Sequence, residues 1–263
     1  METLQIVKIG GNIIDSPEKL KEFLMNFSRL KGLKILIHGG GKVATDLSKD
    51  LGIEAKMIEG RRITNAETLK VITMVYAGLI NKNIVAQLQA IQCNAIGLTG
   101  ADADLIPAKM RNPEPVDFGF AGDVLNELIS KKILNLFLNN GLVPVFAPLT
   151  HDQKGSLLNT NADTIASSLA KALAKDYNVK LIYCFEKRGV LLDSEKEDSI
   201  IQKISIKDYP ALKKKGIVSR GMIPKLDNAF SALVEGVDHV LVCHADALKE
   251  NVTIEMQGTE LTL

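Results

Sequence analysis

The sequence has little cysteine, no long hydrophobic run and no excess of either charge. Its three cysteines, Cys93, Cys184 and Cys243, are odd in number and far apart, which argues against a disulfide framework or a Cys-x-x-Cys metal site. Lysine and arginine total 32 against 31 aspartates and glutamates, so the charge indicates neither a nucleic-acid nor a membrane-surface partner. No apolar run reaches the ~18 residues of a membrane span, and no secretion signal precedes the first predicted strand. We therefore expect a cytoplasmic protein.

Short apolar runs alternate with longer stretches of helical periodicity. The apolar runs predict strands over residues 4–9, 34–37, 95–98, 143–147, 180–184 and 237–243. The periodic stretches predict helices over 17–30, 43–51, 65–90, 123–139, 164–174 and 222–235. Because several strands are apolar almost throughout, the pattern predicts an α/β fold, a three-layer αβα sandwich around an open, mainly parallel sheet. Two segments break the alternation: 107–120 is typical of a hairpin insert, and 193–215 of an exposed excursion.

Two glycine-rich turns follow predicted strands, at the edge where parallel sheets bind ligands. Residues 8–12, Lys-Ile-Gly-Gly-Asn, are compatible with backbone N–H groups approaching a phosphate beside a lysine, or with a plain tight turn. Residues 38–42, His-Gly-Gly-Gly-Lys, are compatible with a close approach to a carboxylate or phosphate, or with a structural role. The second turn fits neither the P-loop nor the dinucleotide-binding fingerprint. His38 by itself is typical of a packed histidine.

Three further polar segments are candidates for chemistry. Asp102 and Asp104 have the spacing of a calcium loop but lack its later glycine and glutamate, which favours a turn role. Asp163 ends the segment Asn-Thr-Asn-Ala-Asp at a predicted helix start, where it is either an N-cap or part of a substrate site. Lys225 follows Pro224 in the first turn of another predicted helix. A cation is unfavourable there, which indicates a neighbouring anion.

Seven segments in this order resemble the amino-acid kinase family, and within it the enzymes that phosphorylate N-acetylglutamate in the second step of arginine biosynthesis. They span nearly the whole chain: Lys-Ile-Gly-Gly-Asn at 8–12, His-Gly-Gly-Gly at 38–41, Gly-Arg-Arg-Ile-Thr at 60–64, Gly-Leu-Thr-Gly-Ala-Asp at 97–102, Asn-Gly-Leu-Val-Pro-Val at 140–145, Asn-Thr-Asn-Ala-Asp at 159–163 and Gly-Met-Ile-Pro-Lys at 221–225. The resemblance implies transfer of the γ-phosphoryl group of ATP to the side-chain carboxylate of N-acetylglutamate or a related N-acylglutamate such as N-succinylglutamate. It also implies an acylglutamate lobe over 1–170 and a nucleotide lobe over 171–263.

The resemblance further implies a role for each matching residue. Catalysis would rest on two lysines that flank the phosphoryl group, an aspartate that orients them and a glycine N–H: Lys8, Lys225, Asp163 and Gly11. Acylglutamate binding would use Gly40, Gly41, Arg62, Asn159 and Asn161. Nucleotide binding would use Gly10, Glu186, Gly189, Ser219 and Lys225. No metal site made of protein side chains is implied, because the phosphates of ATP would hold most of the Mg²⁺ coordination.

Some positions depart from the family pattern. Residues 185–189, Phe-Glu-Lys-Arg-Gly, stand where Asp-Val-x-Gly is usual, so Glu186 would replace the aspartate. Arg220 stands where glycine is common, and Leu149-Thr150 where Ile-Gly is common, which leaves the acyl group open between acetyl and succinyl. The short segment before the first strand leaves no room for the extra helix of arginine-inhibited hexamers, so we expect a homodimer insensitive to arginine. A catalytically silent nucleotide or amino-acid sensor is the main alternative, and a dinucleotide-dependent oxidoreductase a distant one.

Overall fold

An eight-stranded, mainly parallel sheet lies at the centre of the fold. The computed structural model describes residues 1–58, 61–193, 196, 198–218, 222–250 and 258–263. The described strands, in chain order, are β1 (Thr3–Ile9), β2 (Leu33–His38), β3 (Met57–Ile58), β4 (Arg61–Arg62), β5 (Ala95–Leu98), β6 (Ala108–Met110), β7 (Gly122–Val124), β8 (Val143–Phe146), β9 (Leu149–His151), β10 (Leu157–Asn159), β11 (Asn178–Phe185), β12 (Lys203–Ser205), β13 (His239–His244) and β14 (Gly258–Thr262). The large sheet has the order β12-β14-β13-β11-β1-β2-β8-β5, and among its described strands only the β13–β14 pair is antiparallel. The remaining strands form three antiparallel pairs, β3–β4, β6–β7 and β9–β10.

Helices cover both faces of this sheet. They are α1 (Gly11–Ile14), α2 (Pro17–Ser28), α3 (Gly41–Asp50), α4 (Ala66–Ile72), α5 (Asn81–Ala90), α6 (Lys131–Asn139), α7 (Ala162–Leu173), α8 (Tyr209–Lys214) and α9 (Ile223–Val234). A π-helical segment, Thr73–Ile80, joins α4 to α5 in one continuous helix. Short 3₁₀ turns lie at Asp102–Asp104, Asn126–Leu128 and Ala245–Glu250.

The core is divided by the sheet into two layers. Along β1, Leu4 and Ile6 belong to the cluster that packs against α6, α7 and α9, whereas Val7 and Ile9 belong to the cluster beneath α2 and α5. Successive strand residues point to opposite faces, so a strand buried on both sides is apolar throughout. Lys8 shares the face of Ile6 and therefore points towards α7.

The long helix Ala66–Ala90 could cross a membrane by length and composition alone. Several of its apolar side chains, including Val71, Ile72, Ile84 and Leu88, are buried in the layer beneath the sheet. We interpret it as a core helix for that reason.

The predicted α/β class, the three layers and the mainly parallel sheet are confirmed. All six predicted strands are present, with ends displaced by two residues or fewer. The insert predicted over 107–120 is a hairpin, β6–β7, although its second strand begins later, at Gly122. The predicted helix over 123–139 was wrong at its start: Asp123 lies in β7, and α6 begins at Lys131. Pairing with β6 overrides the helical periodicity there.

The predicted exposed excursion over 193–215 was also wrong. Its residues include β12, at one edge of the large sheet, and α8. Ile204 and Tyr209 are buried in the core. The strand was missed because three residues, one of them a lysine, carry too little periodicity to predict one.

Candidate active site

Asp163 lies between two lysine ammonium groups. Its Oδ1 is 2.8 Å from Lys8 Nζ, and its Oδ2 is 3.6 Å from Lys225 Nζ. Asp163 and Lys8 are both buried, 5% and 6% exposed, whereas the Lys225 side chain is 24% exposed. The two lysines were predicted to act together with this aspartate, and the structure brings all three into contact.

Three elements position this cluster. Lys8 lies in β1, the strand flanked by β2 and β11, and Lys225 lies in the first turn of α9. Asp163 lies in the first turn of α7, where a carboxylate is favourable with respect to the helix dipole. The N-cap of α7 is Asn161, whose side-chain oxygen accepts hydrogen bonds from the Asp163 and Thr164 N–H groups at 2.7 and 3.3 Å. Asp163 therefore does not serve as the cap, and its carboxylate is available to the lysines.

The charges of the cluster depend on one another. Burial opposes ionisation of Asp163, but Lys8 and Lys225 outweigh this effect and hold the pKa of its carboxyl below the ordinary value. Burial lowers the pKa of Lys225 to about 8; Asp163 opposes this shift and the charge of Lys8 adds to it. Because one carboxylate serves two ammonium groups, the cluster keeps a net positive charge that suits an anionic ligand.

The two glycine turns lie side by side at the carboxyl ends of β1 and β2. The Gly39 N–H donates to the Ile9 carbonyl at 3.2 Å. Gly40 has a φ of +145°, which other residues rarely adopt, and a Cβ there would overlap the Ile80 side chain. A Cβ on Gly41, by contrast, would meet no protein atom within 4 Å. The packing of the chain thus accounts for glycine at position 40 but not at position 41, where a ligand has room to approach.

Arg62 lies beside this turn with part of its guanidinium unused. Its Nη2 donates to the Gly41 carbonyl at 2.9 Å and to Thr45 Oγ1 at 2.6 Å. Its Nη1 is buried without a hydrogen-bond partner in the described part of the chain. A buried charged donor left unpaired is costly. Arg62 is therefore suited to pair with an anion that enters from outside.

A cavity of about 170 Å³ opens next to Arg62. Its lining includes the predicted acylglutamate residues Gly40, Gly41, Arg62, Asn159 and Asn161. The Asn159 amide donates to Thr64 Oγ1 at 2.9 Å, which fixes its orientation. The structure thus brings together all five residues predicted for this role, in a pocket sized for a small molecule.

Other residues of the pocket wall were not among the predicted site residues. Arg61, Arg111, Phe118 and Tyr76 also line the cavity. Arg111 Nε donates to Asp123 Oδ1 at 3.0 Å, and its guanidinium lies 5.6 Å from the Phe118 ring centroid. The only sequence signal for Arg111 was its place in the β6–β7 insert. Tyr76 is the single aromatic residue in an otherwise aliphatic stretch of helix.

His38 is fully buried beneath the second glycine turn. Its Nδ1 lies 2.8 Å from the Gly39 carbonyl, and its Nε2 lies 3.2 Å from Asn81 Nδ2. Burial lowers the pKa of His38 to about 4, so the ring is neutral at pH 7, and its partners indicate a proton on Nδ1. The predicted packing role of His38 is confirmed.

Comparison with known proteins identifies the family. Residues 3–244 match the amino acid kinase family. The chain belongs to the amino acid kinase family. It is 55% identical over 266 residues to acetylglutamate kinase of Cytophaga hutchinsonii, covering 99% of both chains, and 53% identical over 249 residues to that of Phocaeicola vulgatus, covering 95% and 96%. Among solved structures, smu.665 from Streptococcus mutans UA159 superposes with a TM-score of 0.78 at 25% identity, covering 98% of both chains.

The structure brings together fewer of the residues predicted for nucleotide binding than of those predicted for catalysis and acylglutamate binding. Gly10 precedes α1, and Glu186 is exposed after β11, where its charge acts on Lys225. Gly189 packs against Thr259 so closely that a Cβ would overlap the threonine side chain, which explains this glycine without a ligand. Ser219, together with Gly60, Arg220 and Gly221 of the family segments, lies outside the described residues.

Of the two aspartates after β5, Asp102 has the turn role that was favoured for it, whereas the Asp104 carboxylate accepts hydrogen bonds from Gln153 Nε2 at 3.0 and 2.9 Å. Asp102 Oδ2 accepts hydrogen bonds from the Thr99 N–H and Oγ1 at 2.6 and 2.8 Å. Within the described ranges, no group of three or more histidine, cysteine, aspartate or glutamate side chains is arranged to hold a metal ion.

Proposed function

We propose that this family member is a kinase that transfers the γ-phosphoryl group of ATP to the side-chain carboxylate of N-acetylglutamate, or of a related N-acylglutamate, in the second step of arginine biosynthesis. The relatives named acetylglutamate kinase, which match nearly the whole chain at 53% and 55% identity, support the activity. The observation that carries the chemistry is the Lys8–Asp163–Lys225 cluster beside a pocket with an unpaired arginine donor.

Lys8 and Lys225 are proposed to supply electrostatic stabilisation. Their ammonium groups would neutralise charge on the phosphoryl oxygens and on the leaving diphosphate as the substrate carboxylate oxygen bonds to phosphorus and the bridging P–O bond breaks. Asp163 would hold both lysines in position, and the Gly11 N–H would contact the phosphoryl group. No general base is required, because a carboxylate with a pKa near 4 is already ionised at pH 7.

The pocket is proposed to bind the acylglutamate. Arg62 Nη1 would donate to the carboxylate that does not react, and the fork geometry of a guanidinium suits a carboxylate. Gly40 and Gly41 would let the substrate approach the backbone, and Asn159 and Asn161 would complete the wall. Each of these residues lies within 1–170, which supports the proposed division into an acylglutamate lobe and a nucleotide lobe over 171–263.

The nucleotide is proposed to lie over Gly10, Glu186, Gly189, Ser219 and Lys225. The cluster of two lysines and one carboxylate has a net positive charge, which favours binding of a polyphosphate. Bound Mg²⁺ would neutralise phosphate charge, with most of its coordination supplied by the nucleotide and water. Of the described carboxylates, Glu186 is exposed near Lys225 and could contact that ion through water.

An ADP-release assay with acetylglutamate, succinylglutamate and unmodified glutamate tests this function. The acyl phosphate product is trapped by hydroxylamine as a hydroxamate, which separates carboxyl phosphorylation from ATP hydrolysis. Turnover of one acylated substrate, with a hydroxamate in equal amount, is the expected result. Tight binding of nucleotide or acylglutamate without turnover would instead favour the silent sensor. The intact Lys8–Asp163–Lys225 cluster speaks against that alternative, since a sensor has no need of all three.

We further propose that the protein forms a homodimer in the cytoplasm. Met74 and Leu79, 54% and 52% exposed on the long helix, offer an apolar surface for a homodimer. Three buried cysteines without disulfides suit the reducing cytoplasm. Light scattering would give the mass, and cell fractionation the location.

A further inference from the structure

Phe185, the last residue of β11, lies against both lysines of the cluster. The Nζ of Lys225 is 3.9 Å from the ring centroid, and that of Lys8 is 5.6 Å from it. Both distances are within the range of a cation–π interaction. This ring occupies a position in the segment 185–189, which departs from the family pattern.

Neighbouring residues fix the orientation of the ring. Phe185 stacks on Tyr183, two residues earlier on the same face of β11, with the ring centroids 6.3 Å apart and the planes 6° from parallel. Tyr183 is fully buried, and its hydroxyl donates to the backbone carbonyl of Asp163 at 3.2 Å. The ring that faces the lysines is therefore tied, through Tyr183, to the residue that pairs with both of them.

The charge balance of the cluster gives an aromatic ring a specific advantage. Asp163 is shared by two ammonium groups, and Lys225, at 3.6 Å, has the longer of the two contacts. A second carboxylate would hold Lys225 more firmly but would cancel its charge and repel a phosphate. The face of a neutral aromatic ring attracts a cation through its quadrupole and adds no net charge.

We propose that Phe185 is a positioning residue that holds the ammonium groups of Lys225 and Lys8 towards the transferring phosphoryl group. The inference rests on the proposed function, because the lysines must act on a phosphoryl group for their position to matter. The ring face stabilises the protonated form of Lys225. The charges of Asp163 on α7 and Glu186 after β11 also favour the protonated form of Lys225, whereas the charge of Lys8 on β1 opposes it.

The variant Phe185→Leu tests the proposal, because it keeps an apolar side chain and removes the ring. Phe185→Tyr keeps the ring, and Phe137→Leu is a control for the loss of a half-buried phenylalanine packed on the core in α6, away from the cluster. The pH dependence of kcat/KM for ATP is measured for all three and for the wild type. In Phe185→Leu the fall of kcat/KM at alkaline pH should begin at a pH lower by about half a unit to one unit. This shift is expected from the size of a cation–π interaction. kcat should fall, while the KM for the acylglutamate changes little.

The outcomes separate this inference from the proposed function. An inactive wild type overturns the proposed function itself. An active wild type whose alkaline limb coincides with that of Phe185→Leu overturns the positioning role, whatever the loss of rate, because a packing defect lowers activity at every pH. Phe185→Tyr should keep the wild-type limb, and a limb displaced as far as in Phe185→Leu would also refute the role of the ring. Phe137→Leu should leave the limb in place.

Discussion

Replacing Arg62 with lysine separates the charge of this residue from its geometry. Nη2 already holds the Gly41 carbonyl and Thr45 Oγ1, and Nη1 is the donor left for the substrate. A lysine has one nitrogen at the end of its chain and cannot fill both positions at once. The variant therefore either releases the glycine turn or loses the substrate carboxylate.

The magnitude follows from the hydrogen bond that is lost. A hydrogen bond to a charged group contributes about 1.5–3 kcal/mol, which corresponds to a rise of about ten- to a hundred-fold in KM for the acylglutamate. Arg62 is 6% exposed, so solvent screening reduces this value little. The KM for ATP should stay within about two-fold, and kcat should change far less than the KM for the acylglutamate, because this contact is present in the ground state as well as the transition state.

Initial rates with each substrate varied at saturation of the other measure both constants. Arg29→Lys, at the exposed end of α2, is the matched control and should behave as wild type. Urea unfolding of Arg62→Lys shows whether the fold is retained. An equal rise of both KM values, or a fall in kcat with an unchanged KM for the acylglutamate, would refute the assignment of Arg62 to that substrate.

Three further predictions concern the remaining parts of the site. Lys8→Ala and Lys225→Ala should each lower kcat by about a hundred- to a thousand-fold with an unchanged circular dichroism spectrum; activity within a few-fold of wild type would remove that lysine from the mechanism. Because Lys225 must be protonated and its pKa is about 8, kcat/KM should fall above pH 8 by about tenfold per unit, and a flat profile to pH 10 would contradict this. Gly41→Ala should keep the wild-type melting temperature but raise the KM for the acylglutamate, whereas Gly40→Ala should lower the melting temperature. A Gly41→Ala variant with a lowered melting temperature and an unchanged KM would show that no ligand uses the space at Gly41.

Local sequence pattern was sufficient to predict six of the strands described in the large sheet, from β13 to β5 in the sheet order. The strand at 95–98 was predicted to the residue, because a short apolar run between a helix and a glycine turn is compatible with few other environments. The edge strand β12 and its neighbour β14 were not predicted. Residues 203–205 pair with residues 260–262, more than fifty positions away, and no local pattern records such a pairing.

The candidate site also could not be assembled from local sequence patterns alone. Lys8, Asp163 and Lys225 each had an ordinary structural interpretation, and only their order along the chain indicated a joint role. Their contact comes from the topology, which brings the end of β1 and the first turns of α7 and α9 together. The place of Tyr76 in the pocket wall could not have been predicted. Its side chain reaches the pocket from a π-helical turn, and no proline or glycine pair in the sequence indicates such a turn.

The contact between α7 and α9 links the two proposed lobes. Asp163 opens α7 and Lys225 lies in the first turn of α9, so the distance between them depends on how these helices pack. Three polar contacts join these helices: Ser167 Oγ donates to the Asn228 carbonyl at 3.0 Å, Lys171 Nζ to Ser231 Oγ at 2.7 Å, and Asn228 Nδ2 to Thr164 Oγ1 at 3.4 Å. Asn161, which caps α7, also lines the proposed acylglutamate pocket. Through Asn161 and Asp163, α7 therefore contacts both the proposed acylglutamate pocket and the lysine proposed to bind the nucleotide. Phosphoryl transfer depends on alignment of that kind to within about an ångström.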